Sequence, residues 1–133
     1  MKKVTIIIED KGMLRPPEPS EHSEVLRSAV YALLHLVPPG CVVAYSDIAR
    51  ILGLSPRTVA RILKSNKDPI AIPCHRVVSK DMTLGGYTMS GRPNPSFKRI
   101  LLEFEGVAFD DKGRVSKGAL ECGRRALNLL VEG

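Results

Sequence analysis

The chain has 133 residues, 44% of them apolar and 26% charged, with a formal net charge of +6. This describes one ordinary globular domain that can bury a core without staples, and it excludes fibrous or disordered classes. No apolar run approaches the roughly 20 residues needed to span a bilayer, so no membrane partner is expected.

Met1-Lys2-Lys3-Val4 opens like a signal peptide, but Glu9-Asp10-Lys11 stop the apolar stretch at once. A strand over residues 3–9 is the better reading, in a cytoplasmic protein. Pro16, Pro17 and Pro19 then mark an extended linker. Ser23 is the expected N-cap of a helix over Glu24–Val37, whose apolar residues cover more than one stripe and so belong in the core; Pro38-Pro39-Gly40 stop it.

Cys41–Tyr45 reads as a short extended entry. Ser46 is the expected cap of a helix ending at Leu52, with Gly53 in the C′ position. Ser55-Pro56 supplies an N-cap and a proline at the first helical position of the next helix, which runs to about Lys64. Two short helices joined by a glycine turn form a helix-turn-helix pattern, although an ordinary αα-hairpin has the same outline. Residues 1–40 carry five basic and five acidic side chains, whereas residues 41–66 carry Arg50, Arg57, Arg61 and Lys64 against Asp47 alone. The surplus therefore begins with this pattern, as on a phosphate-binding face or simply a solvated basic surface.

Asn66–Pro69 is a turn, Val77-Val78 a short strand, and residues 79–95 a long irregular loop of the kind that tends to be functional. Ser96 is expected to start a helix with Phe97, Ile100, Leu101 and Phe104 inward, ending at Gly106. Residues 107–115 have the form of a β-hairpin, and residues 117–131 of an amphipathic helix.

The three cysteines, Cys41, Cys74 and Cys122, show neither CxxC nor zinc-finger spacing. They read as reduced thiols, with Cys41 and Cys122 as packing residues and no metal or cofactor expected. Cys74 differs because His75 adjoins it. A thiol must become a thiolate to attack carbon, an imidazole can take its proton, and a carboxylate behind the imidazole can hold the tautomer. In an extended segment adjacent side chains point apart, so the pair needs a turned backbone or a bridging water.

Ile72-Pro73-Cys74-His75-Arg76-Val77-Val78 resembles the active-site motif of the O6-alkylguanine-DNA alkyltransferases. The resemblance continues through Val37-Pro38-Pro39-Gly40, Tyr45–Ala49, Arg57–Ala60, Asn66 and Leu101–Gly106. It covers residues 23–115, between an N-terminal strand and linker over 1–22 and a tail helix over 116–133. It implies a mainly α (α+β), winged-helix-like catalytic domain with short strands, without the family's N-terminal ribonuclease-H-like domain and its zinc ligands. The tail helix is expected to cover the core where that domain would otherwise lie.

The resemblance also implies a function: a single-turnover methylated-DNA–protein-cysteine methyltransferase that flips O6-alkylguanine out of double-stranded DNA and transfers the alkyl group to Cys74. His75, through a water, would be the base, with Glu105 behind it. Tyr45 would rotate the nucleotide and hydrogen-bond its base, and Asn66 would brace the turn before Cys74. Leu63, Val77, Tyr87 and Thr88 would line the pocket. Arg57 would enter the base stack, with Arg61 as the alternative finger. Thr58, Ala60, Arg61 and Lys64 would lie near DNA in the minor groove. A monomer is expected, nucleoid-associated in a prokaryote. The absence of Gln and Trp and the frequent prolines point to a heat-adapted source.

An alkyltransferase-like protein that senses the lesion without transfer is the alternative. Such proteins generally replace the cysteine. A helix-turn-helix regulator with an incidental thiol leaves Tyr45, His75 and Glu105 without a role.

Overall fold

The computed structural model describes residues 19–89 and 91–132. The strand expected over 3–9 and the linker prolines Pro16 and Pro17 lie outside them. Helix α1 spans Pro19–His35. It starts earlier than expected, so Ser23 lies inside it and Pro19 begins the helix rather than ending the linker. Proline lacks the N–H that a first helical turn cannot use, and its fixed φ already suits that turn. The helix closes on short i→i−3 bonds, Leu36 N–H to Leu33 O and Val37 N–H to Leu34 O.

Strand β1 (Val43–Ala44) pairs in parallel with β2 (Val77–Val78), and all four residues are fully buried. Between them lies the helix-turn-helix, α2 (Tyr45–Leu52) and α3 (Pro56–Lys64). Ser46 is not the cap of α2. Ala44 takes that position, and the carboxylate of Asp47 reaches back to accept the Ala44 N–H at 2.8 Å. Ser46 already has helical geometry, so its hydroxyl is past the capping position. Gly53 terminates α2 at φ 73°, and the Leu54 N–H reaches back to Ala49 O at 2.9 Å. Ser55 Oγ accepts the Thr58 N–H at 3.1 Å, which starts α3 where its proline predicts.

The turn after α3 carries Ile70 at φ 80°, a costly left-handed conformation for a β-branched residue. It leads into a 3₁₀ turn, Cys74–Arg76. The loop that follows β2 is not wholly irregular: β3 (Thr88–Met89) pairs antiparallel with β4 (Arg92–Pro93). Helix α4 spans Pro95–Phe104, capped by Asn94 Oδ1 on the Phe97 N–H rather than by Ser96. Its inward face agrees only in part: Phe97 and Leu101 pack against the core as expected. Lys98 and Leu102 are fully buried, whereas Ile100 is 57% and Phe104 90% exposed. The expected hairpin over 107–115 reduces to one antiparallel bridge, Phe109 to Val115.

Helix α5 (Lys117–Glu132) lies along β1. Ala119 O accepts the Val42 N–H at 2.9 Å, and Gly123 sits so close that a Cβ there would meet Val42 O at 1.9 Å. Cys41 and Cys122 form a disulfide across 81 residues, which corrects the expectation of free packing thiols. Their spacing carries no signal, because only the docking of α5 brings them together. Cys74 is the free cysteine among the described residues.

The β1–β2 ladder divides two apolar clusters by its alternation of faces. Val43 and Val77 face the larger, with Val30, Leu34, Ile48, Leu52, Val59, Leu63 and Leu127. Val42, Ala44 and Val78 face the smaller, with Leu102, Val107, Val115, Ala119 and Leu120. No helix of the described residues is long and apolar enough to cross a membrane.

Candidate active site and nucleic-acid interface

The 3₁₀ turn follows directly from the bond between the Arg76 N–H and Pro73 O, and it presents Cys74 and His75 from a curved rather than an extended backbone. Both are buried, at 6% and 1% exposure. Asn66 holds this turn from the end of α3. Its Nδ2 donates to Ile72 O at 3.0 Å and to Cys74 Sγ at 3.2 Å, and its Oδ1 accepts the Asp68 N–H at 2.8 Å.

Behind His75 stands Glu105, brought there by the end of α4. His75 Nε2 lies 3.0 Å from Glu105 Oε2. That pairing makes Nε2 the protonated nitrogen and leaves Nδ1 as the acceptor. Nδ1 is buried with no hydrogen-bond partner. Sequence reasoning missed Arg76, which fixes Glu105 with Nε at 3.0 Å and Nη2 at 2.6 Å and returns Nη1 to Val37 O at 2.8 Å. This bidentate fork is the geometry in which Arg–carboxylate pairs are strongest. Arg76 lay within the quoted motif, but its partner is remote in sequence.

Burial dominates the titration of the pair. It pulls His75 below its ordinary 6.5, against the opposing bond from Glu105. It pushes the Cys74 thiol up, against the Asn66 bond and the nearby Lys98 ammonium. Burial also presses Glu105 upward, but the Arg76 and His75 bonds prevail and hold it below the usual carboxylate value. The resting state is therefore a neutral thiol beside a neutral imidazole and an ionised carboxylate.

A cavity of about 280 Å³ opens beside Cys74, lined by Tyr45, Ala60, Leu63, Lys64, Gly86, Tyr87, Thr88 and Pro93. Of the residues expected to line a pocket, Leu63, Tyr87 and Thr88 do so. Val77 does not: it is fully buried in β2 and packs in the core. Strand alternation turns its side chain to the larger cluster. Burial raises the phenols of Tyr45 and Tyr87 to about 12, with the Cys74 charge adding to it, so both stay protonated donors. The Tyr87 hydroxyl is buried without a partner.

Lys98 is the second residue that sequence reasoning missed. Fully buried, it donates to Val77 O at 2.6 Å, to Leu84 O and to Gly86 O at 3.2 Å. Its Nζ lies 5.7 Å from the Tyr45 ring centre. Burial lowers it to about 7, with Cys74 acting in the opposite sense. A lysine in a helix reads as surface, so no pattern announces this position.

On α3, Arg57, Ala60, Arg61 and Lys64 are all exposed. Arg57, Arg61 and Lys64 follow the i, i+4, i+7 spacing of one helix face, and Ala60 and Lys64 also border the cavity. Thr58 is half-buried and its hydroxyl pairs with Ser55 Oγ at 3.0 Å, so it belongs to the cap as much as to the exposed face.

Residues 25–107 match the family model described as 6-O-methylguanine DNA methyltransferase, DNA binding domain. The chain belongs to this family. A methylated-DNA–protein-cysteine methyltransferase of Archaeoglobus fulgidus is 49% identical over 73 residues, covering 53% of this chain and 49% of its own. The chain thus spans about half the length of such curated relatives. The O6-methylguanine-DNA methyltransferase of the hyperthermophilic archaeon Pyrococcus kodakaraensis is similar in structure, with TM-score 0.54 and 34% identity over 77% of this chain and 60% of that one. Schizosaccharomyces pombe Atl1, solved with damaged DNA containing O6-carboxymethylguanine, shares the fold with TM-score 0.60 at 23% identity. It covers 73% of this chain and 94% of that one. The methyltransferase DNA-binding domain is accordingly the unit formed by α1–α4 and the β1–β2 ladder, and α5 lies beyond the matched residues.

Proposed function

We propose that this protein repairs DNA directly, moving one alkyl group from guanine O6 to Cys74 irreversibly and once per molecule. The observation that carries this reading is the position of Cys74: its free thiol borders a cavity also lined by Ala60, Leu63 and Lys64 of the basic helix α3. A nucleobase rotated out of the duplex along α3 would enter that cavity.

In this mechanism the Cys74 proton passes through a water to His75 Nδ1, and Glu105 steadies the resulting imidazolium through Nε2. The sulfur attacks the alkyl carbon in line, an S–C bond forms, and the C–O6 bond breaks. Its electron pair stays on guanine, which takes a proton and leaves as the ordinary base. Tyr45, protonated at neutral pH, donates to the guanine ring and eases that departure. Tyr87 borders the same space and keeps its phenol protonated. Burial pushes the Cys74 thiol up, so its thiolate depends on passing the proton to His75. A single-step displacement of this kind needs only binding, orientation and proton transfer from the thiol and to the departing guanine.

For DNA binding, Arg57 is the proposed finger in the base stack, with Arg61 one turn further along as the alternative. Ala60 permits close approach to the minor groove, where readout is degenerate. Thr58 and Lys64 complete the contact face of a monomer. Affinity will fall steeply with salt through counterion release.

Intact-mass measurement after incubation with O6-methylguanine duplex tests the reading. Wild type gains one methyl group and Cys74→Ala gains none. Lesion-selective binding without a mass gain would instead support the sensor reading. Arg57→Ala retains reaction with free O6-benzylguanine and loses efficiency on duplex. If Arg61→Ala alone shows that duplex-selective loss, Arg61 is the finger.

A further inference from the structure

The tail helix does more than cover apolar surface. Four of its residues attach to one short stretch, residues 41–47, which leads into and begins α2. Ala119 O accepts the Val42 N–H, Cys122 bonds to Cys41, and Gly123 lies directly on the Val42 carbonyl. Arg124 Nε reaches Asp47, at 3.1 Å from Oδ1 and 2.9 Å from Oδ2. The same Oδ2 accepts the Ala44 N–H, so one carboxylate is shared between the tail and the first turn of α2.

Tyr45 is the first residue of that turn, directly after the cap Ala44, and it borders the cavity with Cys74. Asp47 is 7% exposed. A carboxylate so placed needs its partners, because a buried charge left without them is costly. Covalent, packing and ionic attachments therefore converge on the segment that aims Tyr45.

We infer that α5 is a positioning element of the reaction centre, in which Arg124, acting through Asp47, sets where Tyr45 sits in the cavity. Arg124 is a positioning residue: it touches Asp47 and reaches the cavity only through α2. The disulfide tethers the helix so that Arg124 stays in register with its partner. This inference rests on the role proposed above for Tyr45, and it ties Tyr45 and Asp47, inside the family-matched segment, to Arg124 of α5, which lies outside it.

The test is a double-mutant cycle on the single-turnover rate of methyl transfer from O6-methylguanine duplex. It uses the full chain, Arg124→Ala, Tyr45→Phe and the double variant. Arg124→Ala is expected to slow transfer about three- to ten-fold in the wild-type background and less than about two-fold once the Tyr45 hydroxyl is gone, as coupled residues do. Arg124→Lys, which keeps the charge, should recover most of the rate. Equal slowing in both backgrounds would show a general effect on the fold and overturn the inference.

A second readout does not depend on transfer. With 3-fluorotyrosine incorporated, the Tyr45 resonance, assigned by its loss in Tyr45→Phe, should shift in Arg124→Ala while the other tyrosine resonances hold. An unmoved Tyr45 resonance overturns the inference whatever the rates. A wild type that never gains methyl, with the Tyr45 resonance still moved by Arg124→Ala, would overturn the proposed transfer and leave the positioning intact.

Discussion

Asn66 donates a hydrogen bond to the sulfur of Cys74 at 3.2 Å while the same Nδ2 holds Ile72 O at 3.0 Å. One amide thus ties the end of α3 to the candidate nucleophile, and through Asp68 to the strained turn between them. Loss of these bonds leaves partly buried groups unpaired. Asn66→Ala is expected to cost about 1–3 kcal/mol, seen as a lowered Tm, together with a slower reaction of Cys74. Asn66→Asp should slow Cys74 further, because a carboxylate beside the sulfur disfavours the thiolate. A faster-reacting Asp variant, followed by thiol alkylation, would contradict this geometry.

The pH profile follows from His75. Its folded value lies below 6.5, so the neutral, proton-accepting form persists to lower pH than in a free histidine. The single-turnover rate should stay flat on descending through 6.5 and fall only below it. Glu105→Gln removes the groups that raise His75 and replaces a carboxylate with an amide able to donate to the ring. The expected loss is on the order of 10²–10⁴ in rate, the range of general acid–base catalysis. A rate that drops already above 6.5 would show that another group controls the reaction.

Lys98 offers a test by stability. Its folded value, about 7, lies below its ordinary 10.5. Between these values the unfolded chain binds the extra proton, so stability should rise with pH across that window. Lys98→Met should abolish that rise. It should also release the loop carbonyls of Leu84 and Gly86, giving faster hydrogen exchange near Tyr87. Denaturant unfolding at several pH values measures the first effect.

The extent to which the chain was legible follows from how far each signal travels. The helix-turn-helix was readable because its cues are local: Gly53 closes α2, and Ser55-Pro56 opens α3. The brace from Asn66 and the pairing of His75 with Glu105 fall at positions read from the motif, and the curved Cys74–His75 backbone is one of the two arrangements left open there. What escaped depends on remote partners. Arg76 meets Glu105 29 residues away, and Cys41 meets Cys122 across 81. Helix α4 shows a different failure. Phe97 and Leu101 pack against the core as their apolar helical period predicts, yet Ile100 and Phe104 are exposed and the fully buried positions are rotated to Lys98 and Leu102. The carbonyls gathered by the pocket loop need a donor there, and that need outweighs the apolar pattern.

This rotated phase is directly testable. Leu102→Ala should cost about 2–5 kcal/mol, as for a fully buried leucine. Phe104→Ser, at an almost fully exposed position, should stay within about 0.5 kcal/mol of wild type. The reverse order of Tm values would restore the pattern expected from sequence.

The most direct measurement of the central claim is a stoichiometric titration with O6-methylguanine duplex, counting repaired guanines per protein and mapping the modified peptide. The account predicts a plateau at one guanine per molecule, with the methyl group on the peptide containing Cys74. Repair that continues past one guanine per molecule, or a methyl group found elsewhere than on Cys74, would contradict it.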